Sequence, residues 1–180
     1  EFAYADNKKF YVLCMSSGLK WPWRPPYGNS EAHHATFYEG PGSIKVGDPQ
    51  KGRNFAKHDF TCGFIAEGLY EGSRSSGAFS RVVADMRECL RKMAEYFTEY
   101  DVDGSLKGRD WKTAFRVLDV CNQGRHRAAF LAYCKACFMG KLGFGVRLSH
   151  CSLFFDARGP CGCGQGVCDE FGRRDDNNKE

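Results

Sequence analysis

The chain has 180 residues, of which 42% are hydrophobic and 14% aromatic, which is the composition of a single globular domain rather than of a disordered or repetitive chain. Its formal net charge of +4 is too small to indicate nucleic-acid binding unless the positive residues cluster. No stretch is long and apolar enough to predict a membrane-spanning helix, so we expect no membrane partner. Because the chain lacks both an initiator methionine and a signal-peptide pattern, we expect a fragment or a processed piece.

The first predicted element is a buried strand at residues 9–15, ended by a turn at residues 16–18. Residues 18–59 contain five of the six prolines and show no sustained period, which predicts a long irregular segment. Apolar residues then recur every three or four positions over residues 79–97, the pattern of an amphipathic helix, with Asp85 on its polar face. Residues 101–105 resemble the start of a calcium loop, but the ligand pattern is incomplete and we predict a turn.

Residues 115–121 are mostly apolar and include β-branched side chains, which predicts a strand covered on both faces. A glycine-containing loop follows. A helix is predicted over residues 128–139, with Phe130, Leu131, Cys134 and Phe138 on one side and Gly140 as its stop.

A last strand at residues 145–150 completes a βαβ unit over residues 115–150. We therefore predict a small α/β domain with a parallel or mixed sheet and flanking helices. We expect this single domain to span residues 1–168, followed by a polar and frayed tail at residues 169–180.

The loop between the predicted strand and helix combines several features that favour an anion. Backbone N–H groups at a helix N-terminus, the helix dipole and arginine side chains all attract phosphate, and Gly124 lets the backbone approach a ligand. No Asp or Glu occurs from residue 120 to residue 155, whereas five basic residues do: Arg125, Arg127, Lys135, Lys141 and Arg147. We predict a phosphate-binding loop whose ligand-binding residues are Asn122, Gln123, Gly124, Arg125, His126 and Arg127. The alternative is an ordinary turn whose arginines face water, with His126 capping the helix.

Cys121 and Arg127 also have the Cys-x5-Arg spacing with which protein tyrosine phosphatases surround a phosphate. Val120 and Ala128 stand where those enzymes carry a His and a Ser or Thr. A cysteine-dependent phosphatase, with Cys121 as nucleophile and Arg127 as phosphate clamp, is therefore the second hypothesis. The third is a structural domain without a ligand, and we favour a non-enzymatic phosphate-binding module.

The residues of this loop resemble those of a known family. Cys121 followed by Gly124-Arg125-His126-Arg127, a helix and a strand ending near His150 resembles the C-terminal domain of the RapZ family of RNase adapters, as a divergent, eukaryotic-like member. The similarity is strongest over residues 115–151 and weaker around Asp48, His58 and the helix at residues 79–97.

The resemblance implies an α/β domain that binds RNA phosphates or a small phosphorylated metabolite such as a nucleotide or phosphosugar, often within an oligomer. It also implies His58 as a further ligand-binding residue. Two departures stand out, because Ala128 replaces the family's usual Ser and the Asp-x-Arg segment after the first strand is missing. The chain has no Gly-x4-Gly-Lys-Ser/Thr sequence, so ATP hydrolysis is not implied.

Ten cysteines are too few for a small disulfide scaffold, and several lie in apolar segments, which predicts a reducing, cytoplasmic compartment. Three of them are crowded near the C-terminus and, with Cys151 or His150, could bind a structural zinc ion: Cys161, Cys163 and Cys168. Their Cys-x-Cys-x4-Cys spacing is irregular, so reduced thiols are the default. His33 and His34 could likewise form a metal pair, although a solvated loop is preferred.

Overall fold

The computed structural model describes residues 10–19, 32–38, 43–47, 60 and 63–151. It contains seven elements within those residues: β1 Tyr11–Gly18, β2 His34–Phe37, α1 Gly63–Ser75, α2 Ala78–Tyr96, β3 Phe115–Cys121, α3 Arg127–Lys141 and β4 Gly145–His150. The strands form one sheet in the order β2-β3-β1-β4, and every pair is parallel. The predicted small α/β fold is therefore confirmed, with a fully parallel sheet.

The helices lie on one face of this sheet. The connections from β2 to β3 and from β3 to β4 cross the sheet in the same direction, and right-handed crossovers place such helices on the same side. Accordingly, α2 packs on β2 and β3, α3 packs on β1, β3 and β4, and α1 packs against the other two helices. None of these helices combines the length and the apolar character needed to cross a membrane.

Both faces of the central strands β1 and β3 are buried, as expected for parallel strands. On the helix side, Val12 and Val117 pack with Cys89 of α2 and Met139 of α3. The opposite face buries a separate apolar cluster that includes Leu13, Met15, Leu118 and Val120. The central strands β1 and β3 therefore bury both sets of alternating residues, whereas the edge strand β2 exposes every second residue.

Several predicted bounds agree with the structure and several do not. β3 and β4 have the predicted bounds, α2 is shifted by one residue, and residues 101–105 form the predicted turn. β1 does not end at Met15, because its pairing with β3 continues to Gly18. β2 lies inside the segment predicted to be irregular, since four residues are too few to show a period. α1 was not predicted.

The predicted end of α3 was wrong, and of the residues predicted to share one side, Leu131 and Phe130 lie on the core whereas Phe138 does not. The helix runs past Gly140 to Lys141, and the chain turns only at Gly143, whose φ is 95°. Phe138 is 39% exposed, whereas three of the six buried residues are alanines, which allow a close approach to the sheet. These buried residues are Ala128, Ala129, Leu131, Ala132, Lys135 and Met139.

Candidate functional site

The predicted loop lies at the point where the strand order of the sheet reverses. β1 and β3 are neighbours, but the chain leaves β1 toward β2 on one side and leaves β3 toward β4 on the other. In open parallel sheets, ligands bind in the crevice beyond the carboxyl ends of two such strands. Residues 122–126 connect β3 to α3 at this edge.

Two glycines determine the path of the loop. Gly124 has a φ of 71°, in the left-handed region that favours glycine, and its N–H donates to the Sγ of Cys121 at 3.2 Å. The loop then passes over the end of β1 so closely that a Cβ atom on Gly18 would lie 2.7 Å from the carbonyl carbon and oxygen of Gln123. Sequence reasoning identified Gly124 but missed Gly18.

The side chains of the loop differ in exposure. Asn122 and Gln123 are exposed, whereas Arg125 is only 8% and His126 only 4% exposed. Arg127 is half-buried, and its Nη1 donates to the carbonyl of Tyr38 at 3.3 Å. The alternative in which both arginines of the loop merely face water therefore does not fit the structure.

His126 occupies the N-cap position of α3 but makes no side-chain capping hydrogen bond. Its backbone carbonyl instead accepts the N–H of Phe130 at 2.8 Å. The capping alternative for the imidazole is therefore not seen in the structure.

The thiol of Cys121 lies at the centre of the loop's backbone N–H groups. Burial raises the pKa of this thiol, and the N–H groups of Ala128, Gly124, Gln123 and His126 oppose that rise. The net shift is upward, so the sulfur is protonated at neutral pH, and a protonated thiol is a weak nucleophile. These N–H groups face the Cys121 sulfur, and that of Gly124 donates to it at 3.2 Å.

One predicted contributor to the positive charge of the loop is located elsewhere. Lys135 is only 1% exposed, and its Nζ lies 2.7 Å from Asp119 Oδ1 and 2.8 Å from Asp85 Oδ2. Two buried carboxylates therefore neutralise the ammonium charge. The expectation that Lys135 helps to attract an anion was wrong, because Asp85 and Asp119 pair with it. Asp119 lies just before the acid-free stretch of the sequence.

Lys135 belongs to a buried polar cluster that joins β2, α2, β3 and α3. Its Nζ also donates to Thr36 Oγ1 at 3.2 Å, and Thr36 Oγ1 donates to Asp85 Oδ1 at 2.6 Å. We call the following set the Lys135 cluster: His34, Thr36, Tyr38, Asp85, Asp119 and Lys135.

The pKa shifts within the Lys135 cluster follow from burial and ion pairing. Burial alone would raise the pKa of Asp85, but hydrogen bonding from His34 and the charge of Lys135 hold it well below its ordinary value. Burial dominates at Asp119, whose pKa is raised. Burial alone would lower the pKa of Lys135, yet attraction to Asp119 and Asp85 raises it. Lys135 therefore carries its charge in the core.

Sequence reasoning placed Asp85 on the polar face of α2 and missed this cluster. The spacing of Asp85 could have indicated its burial, since this residue lies three residues after Val82 and four before Cys89, on the apolar stripe. His34 was expected in a solvated loop, but its Nε2 lies 2.9 Å from Asp85 Oδ1. His33 packs against Tyr96 and Phe115, with ring centroids 4.2 Å and 5.2 Å away, so the two histidines do not form a metal pair.

A second polar contact lies beneath the loop on the β4 side. Ser16 Oγ and His150 Nδ1 are 2.7 Å apart, and burial lowers the pKa of His150 to about 4. In the strand register, Ser16 pairs with both His150 and Asp119, and Asp119 pairs with Thr36. Because paired residues of parallel strands face the same side, these four side chains form one polar row across the sheet.

The remaining predicted site residues cannot be placed. His58, Asp48, Cys161, Cys163 and Cys168 lie outside the described residues. Cys151 is described and half-buried, and the cysteines of the described ranges are all thiols. In that part of the chain, no group of three His, Cys, Asp or Glu side chains is arranged to hold a metal ion. The zinc site stays a prediction.

No protein-family model matches the chain, and no curated protein matches it. The resemblance of residues 115–151 to the RapZ-type domain therefore stays a prediction.

Proposed function

We propose that residues 121–127 form a phosphate-binding loop and that the protein is a binding module for RNA phosphates or a small phosphorylated metabolite. The observation that carries this proposal is that the loop folds its N–H groups around the Cys121 sulfur at the start of α3, beside the strand-order reversal. The resemblance to RapZ-type domains implies the same ligand class.

The charges around the loop support an anionic ligand. Arg125 and Arg127 carry guanidinium groups suited to phosphate, and the N-terminal end of the α3 dipole adds partial positive charge. The nearest carboxylate in sequence, Asp119, is paired with Lys135. Its repulsion of an incoming phosphate is therefore reduced.

The state of Cys121 supports binding over catalysis. A buried, protonated thiol with no hydroxyl at position 128 to assist the leaving sulfur is poorly suited to nucleophilic attack. Cys121 instead has a structural role: its sulfur accepts the N–H of Gly124 and stabilises the bend of the loop.

Isothermal titration with inorganic phosphate and with a short single-stranded RNA tests the proposal. We expect Arg125→Gln and Arg127→Gln each to weaken binding roughly 10-fold or more, because each removes charge-assisted hydrogen bonds. Arg91→Gln is the control, since Arg91 pairs with Glu88 and Glu95 on the exposed side of α2. Unchanged binding after reversal of both loop charges would contradict the proposal.

Two further measurements separate the ligand and reaction classes. For RNA, the logarithm of affinity should fall with the logarithm of salt concentration by about 0.7 per neutralised phosphate. A flat response would leave only the metabolite. Cys121→Ser should keep phosphate affinity. If the original protein hydrolyses p-nitrophenyl phosphate and Cys121→Ser does not, the phosphatase hypothesis is favoured.

A further inference from the structure

Tyr38, a member of the Lys135 cluster, connects that cluster to the loop. It follows β2 directly, and its side chain is only 1% exposed. Its backbone N–H donates to the carbonyl of Val120 at 2.8 Å, and its own carbonyl accepts Nη1 of Arg127 at 3.3 Å. The backbone of this one residue thus contacts both the end of β3 and the guanidinium of Arg127.

The side chain of Tyr38 is fixed from the opposite direction. Its hydroxyl donates to Asp119 Oδ1 at 2.7 Å, the same oxygen that accepts the ammonium of Lys135. Lys135 is in turn paired with Asp85 of α2. A continuous chain of polar contacts therefore runs from Arg127 through Tyr38 and Asp119 to α2 and α3.

The hydroxyl adds to the support that Tyr38 receives from the short strand β2. In the described sheet, β2 is an edge strand of four residues that pairs only with β3. The ring of Tyr38 packs with Ile65 and Leu69 of α1, an apolar contact that a phenylalanine ring would also make. The backbone of Tyr38 is anchored by its bond to Val120, and the directional anchoring of its side chain comes from the bond to Asp119, since apolar packing is not directional.

We infer that Tyr38 is a positioning residue for the phosphate site, whose hydroxyl bond to Asp119 places the backbone carbonyl that orients the guanidinium of Arg127. This inference rests on the proposed function of the loop. It assigns the Lys135 cluster a part in ligand binding, although none of its side chains needs to touch the ligand.

Tyr38→Phe, titrated with inorganic phosphate, tests the inference against Tyr96→Phe as a matched control. The hydroxyl of Tyr96 also donates one hydrogen bond, to the carbonyl of Thr113 at 2.9 Å. We expect both variants to lower the melting temperature, because each loses a partly or fully buried hydrogen bond. Only Tyr38→Phe should also weaken phosphate binding, by about 5-fold, as expected when one hydrogen bond stops supporting the site.

A double-mutant cycle with Arg127→Gln distinguishes positioning from general destabilisation. Tyr38→Phe should cost no further affinity once the guanidinium is gone, and the same loss in both backgrounds would overturn the inference. Asp119→Asn, which keeps an oxygen acceptor for the hydroxyl, should retain affinity within about 2-fold. A loss as large as that of Tyr38→Phe would also overturn it.

The outcomes separate the two proposals. If the unmodified protein does not bind phosphate, the proposed function and the inference fail together. If it binds phosphate and Tyr38→Phe binds equally well, only the positioning role is overturned.

Discussion

At the scale of single residues, Gly18 and Gly140 show how differently two glycines can be constrained. A Cβ on Gly18 would approach the backbone of Gln123 to 2.7 Å, a distance that real Cβ atoms essentially never show. A Cβ on Gly140, within α3, would meet nothing within 4 Å. The first glycine permits a close contact between two segments, whereas the second only weakens a helix.

We predict opposite effects for the two alanine substitutions. Gly18→Ala should lower the free energy of unfolding by about 1–3 kcal/mol, because the loop must move away from β1. Gly140→Ala should raise it by about 0.5–1 kcal/mol, because alanine is the better helix former and has room. Urea unfolding of both variants measures these values. A neutral Gly18→Ala would show that the loop is not held against the strand.

The two glycines of the loop also show what could be predicted from sequence. Gly124 was identifiable because it lies between an apolar strand pattern and a helix start, which are local features. Gly18 was not, because its constraint comes from a segment more than 100 residues away in the chain. Close approaches of this kind depend on strand order, which local patterns do not contain.

At the scale of elements, α3 joins the sheet to α2 through Lys135. A lysine that is only 1% exposed requires partners, and Asp119 and Asp85 supply them. Removal of the ammonium would leave two carboxylates facing each other in the core. The ion pairs of Lys135 with Asp119 and Asp85 therefore restrict how α2, α3 and β3 can pack against one another.

We expect Lys135→Met to lower the free energy of unfolding by about 3–5 kcal/mol, the usual cost of breaking a buried ion pair on one side. Lys107→Met is the control, because Lys107 pairs with Glu99 at the surface, where solvent screening makes the loss of the pair far less costly. Chemical denaturation measures both. Lys135→Met with Asp119→Asn should cost less than the sum of the single changes, since the second change removes an unpaired charge.

Element positions were predicted better than element faces. The periods of β3, β4 and α2 gave nearly correct bounds, because long buried strands and amphipathic helices carry strong local patterns. The face of α3 was predicted only in part, since Leu131 is buried and Phe138 faces outward, while alanines and Lys135 face the sheet. A charged residue in a core is recognised only from its partners.

At the scale of the whole molecule, burial of neutral histidines makes stability depend on pH. Burial lowers the pKa of His150 to about 4 and that of His33 also to about 4. Their unfolded pKa is about 6.5, so between these values the unfolded chain binds more protons than the folded one. Acid therefore favours unfolding in this range.

We predict that the melting temperature is highest above pH 6.5 and falls as the pH is lowered toward 4. His150→Gln should reduce the steepness of this fall, because the remaining dependence then comes mainly from His33. Thermal unfolding followed by circular dichroism between pH 8 and pH 4 measures the effect. A profile of the variant that parallels that of the original protein would contradict the assignment of His150.

The whole-molecule architecture was predictable only in outline. The alternation of strand and helix patterns indicated a parallel α/β sheet, which the structure confirms. The order β2-β3-β1-β4 was not predictable, because β2 lies in a proline-rich region without a period. The position of the loop at the reversal of strand order depended on that missing strand, whereas its place beside Gly18 follows from the pairing of β1 with β3.

The polar row of Thr36, Asp119, Ser16 and His150 also limits how this chain can misfold. A slip of one strand by a single residue would turn its polar side chain toward the opposite face, where Leu13 and Met15 are packed. Such an arrangement would bury a carboxyl or hydroxyl group among apolar side chains. A shifted register therefore costs free energy, and the polar row favours the native alignment by making the alternatives unfavourable.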